Sequence, residues 1–272
     1  MLIDWVVVNQ YKEYLIIPTL IVIVILITFF HDYRVPPAVA TKEPPSSVPE
    51  FRSYTDVKKK KSDFFAYMLP MIRQANKALM EERNFILNLD LGKKLSQQSL
   101  SKLQLMSKKY KIKQTESTMQ NPITNELIDS ELVNKLLSRV DKVPASLILA
   151  QSANESAWGT SRFAREANNF FGIWCFSKGC GIKPLSRDEG LIHEVAKFKE
   201  VQDGVDYYTR MINTHSAYKA LRRIRENQRQ EGQTLSGSRL AEGLIKYSER
   251  GDAYVQEIKA MIRTNKLAKY NI

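Results

Sequence analysis

Histidine and cysteine are scarce in this chain of 272 residues, with three of the first and two of the second, and 29 acidic residues are outnumbered by 41 Lys and Arg. Two cysteines are too few for a structural zinc site. The three histidines form neither an H-E-x-x-H word nor a Ser/His/Asp arrangement, so metallohydrolase and protease chemistry lack their usual groups. The cysteine shortage also excludes a disulfide-dense secreted mini-protein. The shortage of acids, with 43% apolar residues, excludes an acidic disordered chain. Internal repeats are absent. What remains is a net charge of +12, which calls for a partner of negative charge: nucleic acid, a membrane surface or an anionic polymer.

Length allows one or two domains with a substantial core. Leu15 to Phe30 reads LIIPTLIVIVILITFF, sixteen residues without a charge. That is slightly short of the roughly 20 that cross a bilayer. Tyr14 and Tyr33 at its ends, and snorkelling Lys12 and Arg34, make up the difference, so residues 15–33 are expected to be a transmembrane anchor behind a short cytoplasmic tail, 1–14. A cleaved signal peptide ending at Ala38-Val39-Ala40 is the alternative. Positive charges after the segment would keep the C-terminal part in the cytoplasm, but long domains cross largely regardless of charge.

Residues 34–62 are rich in Pro and Lys, show no periodicity and read as an extended linker. Ser62 or Asp63 is the expected cap of a long amphipathic helix whose apolar positions include Phe64, Met68, Ile72, Ala75, Leu79 and Ile86, with a kink at Pro70. A second helical pattern follows, giving a helical region over 63–129. A third pattern starts near Ser130. Strand alternation is confined to about Ile182–Val201, in HEVAKFKEV, and helices return through Tyr207–Ile212 and Gly237–Ile262. The fold class is mostly α, with one small β-hairpin.

Cys175 and Cys180 enclose four residues. The spacing is not the C-x-x-C of redox proteins, and a disulfide in an oxidising compartment fits it best.

The most informative stretch is VPASLILAQSANESAWGTSRFAREANNFFGIWCF. Pro144 suits a helix start and Gly159 a helix end. Glu155 then falls in the last turn beside Trp158, where the negative helix end and aromatic neighbours disfavour its anion and raise its pKa. A carboxyl protonated near neutral pH is what general-acid cleavage of a glycosidic bond needs. The plainer reading is an exposed helix residue paired with Arg162 or Arg165.

A-Q-S-A-N-E-S-A-W-G followed by N-N-F-F-G-I-W resembles the glucosaminidase domain of glycoside hydrolase family 73, whose members cleave peptidoglycan strands on a lysozyme-like helical fold. The resemblance continues through A-K-F-K-E-V, N-T-H-S-A-Y and K-Y-S-E-R-G-D-A-Y. It implies a catalytic domain over 130–265, with Glu155 as the acid and Tyr247 lining the cleft near the reacting sugar. It implies an endo-β-N-acetylglucosaminidase, without metal or cofactor, acting on peptidoglycan glycan strands. It also includes a pair like Cys175–Cys180, which favours a periplasmic domain held to the inner membrane through 15–33. Nucleic acid is not an expected partner.

A glycosidase usually needs a second carboxylate. Glu189 and Glu194, with Asp188, are the hairpin candidates; a solvated surface position is the alternative for each, and assistance by the substrate's N-acetyl group would need none. Trp158, Phe171 and Trp174 are candidates to stack on sugars, and Asn169 and Tyr218 to contact them. Core packing for the phenylalanine and turn chemistry for the asparagine are the alternatives. Lytic transglycosylase, peptidoglycan amidase and a non-catalytic wall-binding module are the rival functions.

Overall fold

The computed structural model describes residues 47–112 and 130–271, apart from 186, 188 and 189. The expected anchor, residues 15–33, lies outside them, as do Asp188 and Glu189 of the hairpin. Among the described residues no helix is long and apolar enough to cross a membrane.

Helix α1 (Val57–Leu87) opens six residues before the expected cap. Its N-cap is Asp56, whose side chain accepts from the backbone N–H groups of Lys58 and Lys59. Asp63 instead lies inside the helix, where it accepts from Lys59 Nζ at 2.7 Å, one turn away, and from the Tyr54 hydroxyl at 2.9 Å. The lysine run is therefore the first turn of the helix, not the end of a linker. Pro70 sits within the helix, which continues past it.

Then follow α2 (Gln97–Lys109), α3 (Ser130–Arg139), α4 (Ala145–Glu155) and the short α5 (Arg162–Ala167). A three-stranded sheet, β1 (Trp174–Cys175), β2 (Gly181–Ile182) and β3 (Glu194–Ala196), is ordered β1-β3-β2 with both pairings antiparallel. The strand content of HEVAKFKEV is thus only Glu194–Ala196, near its start, and Trp174–Cys175 supplies an edge too short to show alternation. Helices α6 (Val201–Thr214), α7 (Lys219–Gln230), α8 (Gly237–Leu240) and α9 (Asp252–Thr264) complete the domain. The stretch expected to be helical from Gly237 to Ile262 is broken between α8 and α9, with Gly251 at φ +52° closing the break. The body is mostly helical, as expected, but a small three-stranded sheet stands where a single hairpin was expected.

Two apolar cores hold it together. The larger surrounds α4, in which Ala145 through Ala153 are all buried. Helices α1, α6, α8 and α9 close around it. A smaller core joins the second half of α1 to α2 and α3 through Ile86, Leu103, Met106, Tyr110 and Leu136. A helix apolar on every side must be central, and its position fixes where its last residue, Glu155, emerges.

Candidate active site

The way α4 ends sets the geometry around Glu155. Ser156 caps it, its hydroxyl donating to the Ser152 carbonyl at 2.6 Å and accepting from the Gly159 N–H at 2.8 Å. Ala157, Trp158 and Gly159 then all have positive φ, 49°, 60° and 75°. Two of them carry side chains in the left-handed region, a conformation that costs energy and persists only where the surroundings impose it. At Gly159 the surroundings are visible: a Cβ would stand 2.4 Å from the Phe51 ring.

The turn directs Trp158 away from the carboxylate. Its ring packs on Phe64 and Phe65 at 5.7 and 5.3 Å, with Lys61 Nζ 4.8 Å from its centroid. Trp158 therefore helps seat α4 on α1; it is partly buried, and the partners on its packed side are aromatic and cationic groups of the chain itself.

Glu155 is partly buried, and burial is the main influence raising its carboxyl above the ordinary value; hydrogen bonds from Tyr254 and Asn154 oppose it. The Tyr254 hydroxyl, from the first turn of α9, donates to Glu155 Oε1 at 2.7 Å. The same hydroxyl accepts from Gln151 Nε2 at 2.9 Å. Gln151 Oε1 in turn accepts from the Tyr208 hydroxyl of α6. Tyr208, Gln151 and Tyr254 thus form a donor chain that ends on Glu155. Gln151 lies four residues before Glu155, on the same face of α4. Oε1 is engaged by Tyr254, which leaves Oε2 as the oxygen not bonded to that hydroxyl. That oxygen faces Gly172, where an added Cβ would lie 3.5 Å from it. Gly172 has φ +61°, a backbone conformation in which a side chain is strained, while the space itself would admit a Cβ.

Tyr247 lies in the break between α8 and α9, its ring stacked on Tyr254 at 5.4 Å and 7°. Its hydroxyl donates to the Phe171 carbonyl at 2.9 Å. The hydroxyl bonded to the carboxylate is therefore that of Tyr254, with the Tyr247 ring stacked on it. Tyr218 is 7% exposed, 6.0 Å from the Tyr247 ring, and its hydroxyl is pushed up to about 12 by burial and by the Glu155 charge. It belongs to the aromatic wall and has little surface to offer a ligand. Tyr254 and Gln151 were legible in part, as the second tyrosine of K-Y-S-E-R-G-D-A-Y and as the i−4 residue of A-Q-S-A-N-E. Tyr208 carried no local signal.

Two other expected ligand contacts are corrected. Asn169 is 1% exposed and spends its whole amide on the backbone. Its Nδ2 donates to the carbonyls of Ile173 and Ala196, at 2.9 and 2.8 Å, and its Oδ1 accepts from the N–H groups of Phe171 and Ile173, at 3.2 and 3.1 Å. All four valences of the side chain are used. Phe171 is 2% exposed and stacks on Tyr208 at 4.3 Å, so it supports the donor chain from the core.

Trp174 is 53% exposed and lies parallel to His193 at 4.4 Å and 7°, a flat aromatic surface open to solvent. Cys175 and Cys180 form the disulfide. Glu194 Oε1 and Oε2 accept from the N–H groups of Gly179 and Gly181, at 3.1 and 2.8 Å, which holds the carboxyl below its ordinary range. Glu194 thus clamps the disulfide loop. Its oxygens lie close to both sulfurs, but sulfurs bonded to each other are not thiolate ligands, and the cluster is no metal site. Arg162, the alternative partner for Glu155, pairs instead with Glu166 at 3.5 Å.

Residues 131–267 match the Glucosaminidase family, described as Mannosyl-glycoprotein endo-beta-N-acetylglucosaminidase. The chain is also similar to Protein bax of Escherichia coli (strain K12), 31% identical over 220 residues that cover 81% of this chain and 75% of the relative. No solved structure matches it significantly.

Proposed function

The chain belongs to the Glucosaminidase family, and from that premise we propose that it is a peptidoglycan hydrolase of the endo-β-N-acetylglucosaminidase type, with Glu155 as its general acid. One observation carries the reading: a carboxyl raised by burial, oriented through Oε1 by Tyr254, with Oε2 beside a glycine. A proton on Oε2 is positioned for transfer to the oxygen of a glycosidic bond as the bond to the sugar carbon breaks. The hydroxyls of Tyr247 and Tyr254 are both engaged, so these rings act by shaping and drying the wall near the developing positive charge. Trp174 with His193 is the surface on which a sugar face stacks.

Glu194 is a poor second carboxylate because both its oxygens hold backbone N–H groups. This favours chemistry with a single acid, in which the substrate's own N-acetyl group replaces a protein nucleophile. It also supports lytic transglycosylation as the second reading, since that reaction needs no attacking water. Glu189 stands as a proposed base outside the described residues.

The domain is proposed to work in the periplasm on peptidoglycan glycan strands, anchored to the inner membrane through 15–33 and with no metal or cofactor. The disulfide supports an oxidising compartment. Digestion of purified peptidoglycan followed by mass spectrometry tests the function. Reducing N-acetylglucosamine ends are expected. Anhydro-muramic ends would assign a transglycosylase, released stem peptides an amidase, and binding without products a non-catalytic module.

A further inference from the structure

Between the C-terminal corner of α2, helix α3 and the start of α7 lies a cavity of about 560 Å³, within the range of small-molecule sites, about 300–1,000 Å³. Its lining carries Lys111, Lys135, Arg139, Lys219, Arg222 and Arg223 against a single acid, Glu226. None of the residues around Glu155 lines it.

A neighbouring cavity of about 220 Å³ also has more arginines than acids, but there a buried aspartate gathers them. There Arg83, Arg225 and Arg229 converge on Asp141, the last at 2.7 Å. In the larger cavity Lys135 is paired with Glu131 at 2.6 Å, but Lys111, Lys219 and Arg223 make no ion pair among the described residues. Lys219 and Arg223 stand one turn apart on α7, a like-charge spacing that weakens a helix. Lys111 occupies a left-handed position, φ 53°, at the end of α2, where glycine is favoured.

Two arginines are also held in place. Arg139 Nη1 donates to the carbonyls of Tyr110 and Lys111, at 2.5 and 2.9 Å. Arg222, 6% exposed, donates through Nη1 to the carbonyls of Ile212 and His215, each at 2.9 Å. Burial, with a smaller contribution from the Arg139 charge, brings Arg222 down to about 10.

We propose that this cavity binds a ligand bearing phosphate groups, with Arg139 and Arg222 as pre-set forks and Lys111, Lys219 and Arg223 as mobile charges. Arginine forks match phosphate oxygens, and lysine adds point charge. A lone carboxylate, with one negative charge, would leave most of this excess standing. A phosphate cluster answers it, whether in a soluble molecule or on a lipid headgroup. The inference is independent of the hydrolase reading, since none of its residues touches Glu155.

Calorimetric titration of the full chain with pyrophosphate tests it, and dihexanoyl phosphatidate below its micelle concentration distinguishes the source. Saturable binding at one site is expected. It should weaken at least tenfold in Lys219→Glu/Arg223→Glu, both positions being exposed, and tighten several-fold in Glu226→Gln. Competition by the phosphatidate supports a lipid headgroup, and indifference to it supports a soluble ligand. Three results would overturn the proposal: no saturable binding, equal binding by the charge-reversed variant, or citrate binding as tightly as pyrophosphate.

Discussion

At Glu155, burial and hydrogen bonding pull in opposite directions, and burial wins. A carboxyl raised in the folded state binds its proton more tightly there than in the unfolded chain. Its contribution to stability is therefore complete below the unfolded value near 4.5 and declines as pH rises through the folded one. Glu155→Gln removes the charge, so at pH 7 the variant is expected to be more stable than the wild type. Thermal unfolding across pH should show the difference closing below about pH 4. Tyr254→Phe has a different signature. It removes a hydrogen bond that favours the anion, so the alkaline limb of the pH–rate profile should move to higher pH. The rate itself should fall, because the orienting contact is lost. A mere packing role would lower the rate without moving the limb. The sequence singled out Glu155 and the motif around it. It pointed to Trp158 as the desolvating neighbour, whereas the tyrosines of α6, of α9 and of the turn before α9 fill that place, because three successive positive-φ residues swing the tryptophan onto α1.

The turn joining α5 to β1 shows how elements depend on single polar residues. Asn169 binds four backbone groups within it, across to β3. Asn169→Ala leaves buried N–H and C=O groups without partners, so it should cost about 2–4 kcal/mol in denaturant unfolding. A ligand-binding role alone would leave stability unchanged. Periodicity located the helices well wherever one face was apolar, as in α1 and α3. It failed where the signal was a cap or a short edge. The start of α1 was displaced because Asp56, not Ser62 or Asp63, holds the first free N–H groups. Strands of two or three residues, such as β1 and β3, are too short to show alternation.

At the scale of the whole molecule, the excess of positive charge resolves into separate populations. One is internal. Asp141, in the link from α3 to α4, accepts Arg229 through both oxygens, at 2.7 and 3.0 Å, and lies near Arg83 and Arg225. Its backbone carbonyl accepts from Asn213 at 3.0 Å and from Arg225 at 3.1 Å. Burial pushes the Asp141 carboxyl up, but Arg229, Arg225 and Arg83 together bring it below its ordinary value. The stability it supplies is present above the unfolded value near 3.8 and is lost as pH falls through the folded one. Helices α1, α6 and α7 thereby grip the link that leads into α4. Asp141→Ala leaves Arg225, 1% exposed, without its counter-ion and should cost about 3–5 kcal/mol by chemical denaturation. Composition showed the charge, but only the fold separates the arginines that brace α4 from the cations that line an open cavity.

The account rests on Glu155 as the group that gives its proton to the glycosidic oxygen. Turnover of purified peptidoglycan by Glu155→Gln, measured beside the wild type with folding checked by circular dichroism, tests that most directly. General-acid catalysis contributes about 10²–10⁴-fold, so the variant should lose at least about a hundredfold in rate while keeping the fold. Turnover within a few-fold of the wild type would contradict the assignment.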